Sequence, residues 1–199
     1  MQEKSKIQKV MIVSLLITVG LIINEGINMN ENNIDNIDKW TDEILDYTKK
    51  SSLYEEYDGD RYEKLIYMAS NTKEIKVVQG LMHCLKYELP GMDQTIENTL
   101  ATIEPLIYYR ALFELTPELV SDKNNRDVFI RLLSQAHGDK YTEDEWKAFY
   151  DIAKKHLSKK DVENVLLAFK EGDYDNEDDD YPYPQFYQLF KKLLKEKSE

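Results

Sequence analysis

Thr142-Glu143-Asp144-Glu145-Trp146-Lys147-Ala148-Phe149-Tyr150-Asp151-Ile152-Ala153-Lys154-Lys155-His156-Leu157-Ser158-Lys159-Lys160-Asp161 is the stretch on which the fold turns. Thr142 with Glu145 is a capping box, in which side chain and backbone satisfy each other's free groups at a helix start. Trp146, Phe149, Tyr150, Ala153 and Leu157 then fall on one helical face. Ser158 with Asp161 opens another helix at once, through Val162, Val165, Leu166 and Phe169 until Gly172. Two helices back to back, with no strand-like alternation between them, set the pattern for the rest.

The same spacing runs outward in both directions. Ile34, Ile37, Trp40, Ile44 and Leu45 form a stripe that ends near Lys49-Lys50-Ser51-Ser52. Asp60 with Glu63 reads as a capping box before Leu65, Ile66 and Met68, and Thr72 as the cap of a helix through Ile75, Val78, Leu81, Met82 and Leu85. Pro90-Gly91 is a turn. Asp93 starts a segment with Ile96, Leu100 and Ile103. Pro105 is either a break or the first turn of a helix through Leu106, Tyr109, Leu112 and Phe113. Asn125 precedes Val128, Phe129, Leu132 and Leu133, with Gly138 placed as the C-terminal cap. Phe186, Leu189, Phe190, Leu193 and Leu194 form the last stripe. The expected class is all-α, with about nine helices arranged as an irregular bundle or a short HEAT-like α-solenoid. No repeat motif is visible.

The 199 residues are 42% hydrophobic and 32% charged, with seven Gly, five Pro and one Cys, which excludes collagenous, low-complexity and disulfide-stapled classes. The length suits one domain, 29–199, with an acidic linker at 171–184. With 26 Lys and Arg against 38 Asp and Glu, the formal charge is −12. That argues against a nucleic-acid binder and for a basic protein partner.

Residues 1–28 differ from the remainder. Lys4, Lys6 and Lys9 precede an apolar run from Val10 to Ile23, the layout of a signal-anchor or uncleaved signal. The run is shorter than the ~18–20 residues of a full membrane span, and no small-residue cleavage site follows. No Cys near its end marks a lipoprotein. If residues 10–23 insert, the lysines keep the N-terminus inside and the helical domain faces outward, anchored to the membrane. Alternatively Met29 is the true start: the preceding Glu25-Gly26 fits translation of a purine-rich ribosome-binding sequence, GAAGGA. The protein is then cytoplasmic. A buried N-terminal element is the third option.

Chemistry-bearing patterns are sparse. His83 stands beside Cys84, but adjacent helical side chains diverge by about 100°, so Cys84 reads as a packed thiol. His137 and His156 read as cap or surface residues. Neither His-x-x-x-His nor Cys-x-x-Cys occurs, and neither a phosphate loop nor a nucleophile elbow. No enzyme and no cofactor is expected. Asp173-Tyr174-Asp175-Asn176-Glu177 alternates like a calcium loop, yet Asp178 replaces the required Gly and Pro184 the required Glu, which argues against specific calcium binding.

Two segments combine acids with tyrosine. Seven acids and no base lie from Glu171 to Asp180, and the candidate contacts there are Tyr174, Asp175, Glu177, Asp178, Asp179, Asp180, Tyr181 and Tyr183. The second cluster offers Tyr54, Glu55, Glu56 and Tyr57. Both could be solvated connectors, since like charges repel. As binding surfaces, tyrosine supplies rigid contact area and carboxylates accept bonds from a partner's Arg and Lys.

Ile75-Lys76-Val77-Val78-Gln79-Gly80-Leu81-Met82-His83-Cys84-Leu85, then Ile107-Tyr108-Tyr109, then Leu119-Val120-Ser121-Asp122 leading to Arg126, resembles the small all-helical immunity proteins of bacterial polymorphic toxin systems. These have a Gly-Leu-x-His helix and a later Arg-containing helix start. The resemblance spans about Tyr62 to His137, under half the chain, and does not extend to the apolar run or the acidic C-terminal part. It implies a helical protein that binds and blocks one cognate toxin, and it carries over no catalytic residue. The alternative is a membrane-tethered helical accessory or assembly protein without toxin-neutralising activity.

If residues 10–23 anchor the chain, the full-length protein sediments with membranes and resists salt and carbonate extraction, while Met29–Glu199 stays soluble. Native protein recovered from the cytosol and beginning at Met29 overturns the anchor.

Overall fold

The computed structural model describes residues 34, 36–87, 91–134, 140–175 and 182–199. The N-terminal segment 1–28, His137, Gly138 and the stretch 176–181 lie outside the described residues. Among those described there are nine α-helices and no strand. They are α1 Ile37–Ser52, α2 Gly59–Met68, α3 Ile75–Cys84, α4 Asp93–Leu100, α5 Pro105–Ser121, α6 Arg126–Leu133, α7 Glu143–His156, α8 Lys159–Glu171 and α9 Tyr183–Glu196, with a 3-10 turn at Lys123–Asn125 before α6. None is long and apolar enough to cross a membrane.

The protein is all-α, and the helices form a packed bundle. Alternate helices stack: α1 on α3, α3 on α5 and α5 on α7, with α2 on α4 and α6 on α8 beside them. Arg131 of α6 reaches Asp93 of α4 at 3.5 Å, joining the second row. This alternation is the order of a stack of helix pairs. Helix α5 breaks the pure solenoid pattern because it also packs on α6 and α8, and α9 packs on α7 and α8. Tyr108, Tyr109, Ala111, Leu112, Phe113, Leu115, Thr116, Leu119 and Val120 of α5 are all buried, so it is covered nearly all round.

Helix starts follow local chemistry. The capping boxes at Thr142/Glu145 and Ser158/Asp161 are both formed, and Pro105 occupies the first turn of α5, where its missing N–H costs nothing. Four boundaries differ from expectation. Asp58, not Asp60, caps α2, accepting from the Arg61 N–H at 2.9 Å. Thr72 accepts from the Glu74 N–H at 3.2 Å, three residues ahead of α3, whose N-cap Glu74 makes no side-chain capping bond. Helix α6 stops at Leu133 with Ser134 as its cap, well short of Gly138. Glu171 and Tyr183 belong to α8 and α9, so the connection between those helices is 172–182 rather than 171–184.

Three helices meet at a buried polar knot. Thr48 Oγ1 of α1 lies 2.8 Å from Tyr62 Oη of α2 and 3.1 Å from Cys84 Sγ of α3. One proton assignment serves three of these contacts: Tyr62 donates to Thr48, Thr48 donates to the Ile44 carbonyl and Cys84 donates to the Gly80 carbonyl, which leaves Thr48 Oγ1 and Cys84 Sγ in contact with no proton between them. Burial pushes the Cys84 thiol up to about 12, so it is the packed thiol expected from the sequence and not a thiolate. His83 diverges from it, as the 100° step requires, and sits 3.7 Å from Glu118 of α5.

Gly80 lets α1 approach α3. The Trp40 ring, only 3% exposed, lies against it and donates its indole N–H to the Leu65 carbonyl at 3.1 Å. A Cβ at Gly80 would stand 3.0 Å from Trp40 Cζ3. Alanine gains about 1 kcal/mol of helix propensity over glycine, whereas overpacking a held ring costs about 1–3 kcal/mol. Gly80→Ala therefore lowers stability in urea unfolding by about 1 kcal/mol. A gain in stability would mean that the Trp40 ring yields.

Candidate acidic tyrosine interface

Both acidic tyrosine segments leave a helix by the same backbone device, and their tyrosines take opposite positions. At the end of α1 the Glu55 N–H bonds back to the Lys50 carbonyl at 2.9 Å and the Tyr54 N–H to the Ser51 carbonyl at 3.1 Å. At the end of α8 the Tyr174 N–H bonds to Phe169 at 2.9 Å and the Asp173 N–H to Lys170 at 3.4 Å. Each is a Schellman motif, which satisfies free C-terminal carbonyls by turning one residue into the left-handed region. Those residues are Tyr54, φ 56°, and Asp173, φ 57°. Gly172 is not the left-handed residue, with φ −96°. It is small because the Tyr174 ring would lie 2.7 Å from any Cβ placed there.

In the second segment the aromatic rings turn inward. Tyr174 stacks on Tyr183 with centroids 4.4 Å apart, and both pack against the core. Asp175 is half-buried. These rings wall a cleft of about 680 Å³ whose other side carries Lys123, Arg126 and Arg131. Arg126 is a strut: its Nε donates to the Val120 carbonyl at the end of α5, and its Nη1 donates to both Glu171 oxygens at 3.0 and 2.9 Å. Glu177, Asp178, Asp179, Asp180 and Tyr181 lie outside the described residues.

The first segment points outward. Tyr54 is 82% exposed and Leu53 beside it 56% exposed. Glu55, Glu56, Asp58 and Asp60 are exposed around them. Two bases that flank the turn in sequence are engaged: Lys50 with Asp46 at 2.7 Å and Arg61 with Glu43 at 2.8 Å. That pairing holds the Glu43 carboxyl below its ordinary range. Tyr57, by contrast, anchors the loop. Its ring meets those of Tyr62 and Tyr47, 5.9 and 6.3 Å away, and its hydroxyl accepts from Ser51 at 3.2 Å.

Of the candidates read from the sequence, the structure thus brings Tyr54, Glu55 and Glu56 together on one exposed turn, and assigns Tyr57, Tyr174 and Tyr183 to packing. Leu53 escaped the sequence reading. Its only signal is that it falls off the Trp40–Ile44 stripe of α1 immediately before the acidic run. His156 ends α7 with Nε2 3.7 Å from Glu114. Among the described residues no group of three or more His, Cys, Asp and Glu could hold a metal ion. No family model matches the chain, and no curated protein or solved structure matches it. Function therefore has to be argued from the site.

A bulky residue in the left-handed region costs stability that glycine would not. Tyr54 is too exposed to recover that cost through burial. Tyr54→Gly is expected to raise the unfolding free energy by about 0.5–1 kcal/mol in urea titration. A loss of stability would place the Tyr54 ring in a folding role.

Proposed function

We propose that this protein is an immunity-type binding protein that neutralises a cognate bacterial toxin through an acidic, tyrosine-bearing surface. The observation that carries this reading is Tyr54, held in a left-handed conformation and 82% exposed beside Leu53 and four acids. Strain at a residue that contributes no burial points to a role outside the fold. Tyrosine is a favoured anchor at protein interfaces because it offers contact area and a hydroxyl at small entropic cost. The surrounding carboxylates suit a basic target, such as a nuclease domain whose cleft holds phosphates. The net charge of −12 has the same sign. Asp175 and the acids 177–180 would add to the steering field at longer range. The resemblance over Tyr62 to His137 points the same way, and the reading assigns no catalytic residue.

The test uses a basic toxin-like domain sought in the reading frames that neighbour this chain's gene, in stopped-flow association and in a growth-rescue assay. Glu55→Gln with Glu56→Gln and Asp60→Asn should lower the association rate several-fold at low salt and flatten its salt dependence. Tyr54→Ala should instead speed dissociation ten-fold or more, at roughly unchanged association rate. Association and dissociation both unaltered by these changes would remove the turn from the interface. Absence of any complex with that domain would remove the immunity reading.

A further inference from the structure

A groove runs between α7 and α9. Trp146, Tyr150 and Leu189 form its floor, Pro184 closes one end, and Gln185 and Gln188 line the α9 side. Its volume is about 560 Å³, within the range of roughly 300–1,000 Å³ typical of small-molecule sites. From Pro184 to Lys192 it runs about 12 Å along α9, at about 1.5 Å per residue.

The charge of this groove is opposite to that of the chain. Its charged lining residues, Lys147 and Lys192, are both cations on a protein of net charge −12. Neither forms an ion pair among the described residues. Lys192 Nζ is held 4.5 Å from the centroid of the Tyr150 ring, which fixes an ammonium at the mouth of an apolar floor. The nearby carboxylate, Glu196, is engaged by Lys154 at 2.9 Å. The Tyr150 hydroxyl does not supply an anion either, since burial first and Glu196 second push it up to about 12.

Size decides between a macromolecule and a small ligand. Eight residues line the groove, against roughly 20–30 on each side of a stable protein interface. A second copy of the chain or a globular partner would have to cover far more than this groove. We propose that the groove binds a small anionic amphiphile, a carboxylate whose apolar body lies on Trp146, Tyr150 and Leu189 and whose head meets Lys147 and Lys192. This site is independent of the Tyr54 turn and of any toxin.

The test is a titration of the full chain with dodecanoate below its micelle concentration, followed by calorimetry and by tryptophan fluorescence. Trp146 lines the groove while Trp40 is buried in the core, so a change in emission that vanishes in Trp146→Phe reports the groove. A saturable dissociation constant of about 10–100 μM is expected for a ligand of this size. Lys147→Gln with Lys192→Gln, both on exposed side chains, should weaken binding ten-fold or more, and dodecyltrimethylammonium should not produce the Trp146-dependent emission change in the unaltered protein. The cationic probe needs no variant, so the comparison survives if the double substitution fails to fold. An equal Trp146-dependent response to the two probes, unchanged affinity in the lysine variant, or no saturable binding would overturn the proposal. Binding to anionic vesicles without binding to free dodecanoate would also overturn it, because the groove would then belong to a membrane surface.

Discussion

The hydroxyls of Tyr108 and Tyr109 reach from α5 to the last carbonyls of α6, and the central packing of the molecule depends on that reach. A helix end leaves four carbonyls without intrahelical partners, and burying one unpaired costs about 1–3 kcal/mol. In α6 all four are met: Ile130 by the Ser134 N–H, Arg131 by the Ser134 hydroxyl, Leu132 by Tyr108 at 2.7 Å and Leu133 by Tyr109 at 3.2 Å. An eight-residue helix can therefore end inside the protein. Burial raises the Tyr108 hydroxyl well above its ordinary value, so it remains a donor at all physiological pH.

Around that contact the aromatic core assembles. The Tyr109 ring lies 4.5 Å from Phe149 of α7 and 5.1 Å from Phe186 of α9, and Trp146 lies 4.8 Å from Phe186. Three helices distant in sequence thus share one cluster. Geometry of this kind, tilted and edge-to-face, adds to what the buried area supplies. The same cluster positions the backs of Trp146 and Leu189, whose remaining surface floors the groove between α7 and α9.

Several of the residues that carry the resemblance to immunity proteins have packing roles here. Gly80 admits the Trp40 ring, Tyr108 and Tyr109 close α6, and Arg126 ties the end of α5 to Glu171 of α8. The residues that hold this helical frame together and those of the proposed binding turn are therefore separate sets. The exposed acidic turn at Tyr54 lies outside the resembling span, where sequence can vary without disturbing the frame.

Local chemistry was enough to place the helices, though not all of their ends. Capping boxes at Thr142 and Ser158, Pro105 at a first turn and the stripes of α1, α7, α8 and α9 are decided by neighbours three or four residues apart, and such neighbours are visible in the chain itself. Where two polar residues stand near a helix start, as with Asp58 and Asp60, spacing pointed to Asp60, and the bond from the Arg61 N–H shows that Asp58 is the cap. The acidic tyrosine segments were equally legible as composition. What composition could not say is which rings face water, because that depends on whether a tyrosine lies at the left-handed position of a helix exit, as Tyr54 does, or one residue later, as Tyr174 does. The groove between α7 and α9 was invisible for a related reason. Trp146 and Lys147 meet Leu189 and Lys192 only after the chain has turned back through α8, and pairing across some forty residues is decided by tertiary packing and not by any local pattern.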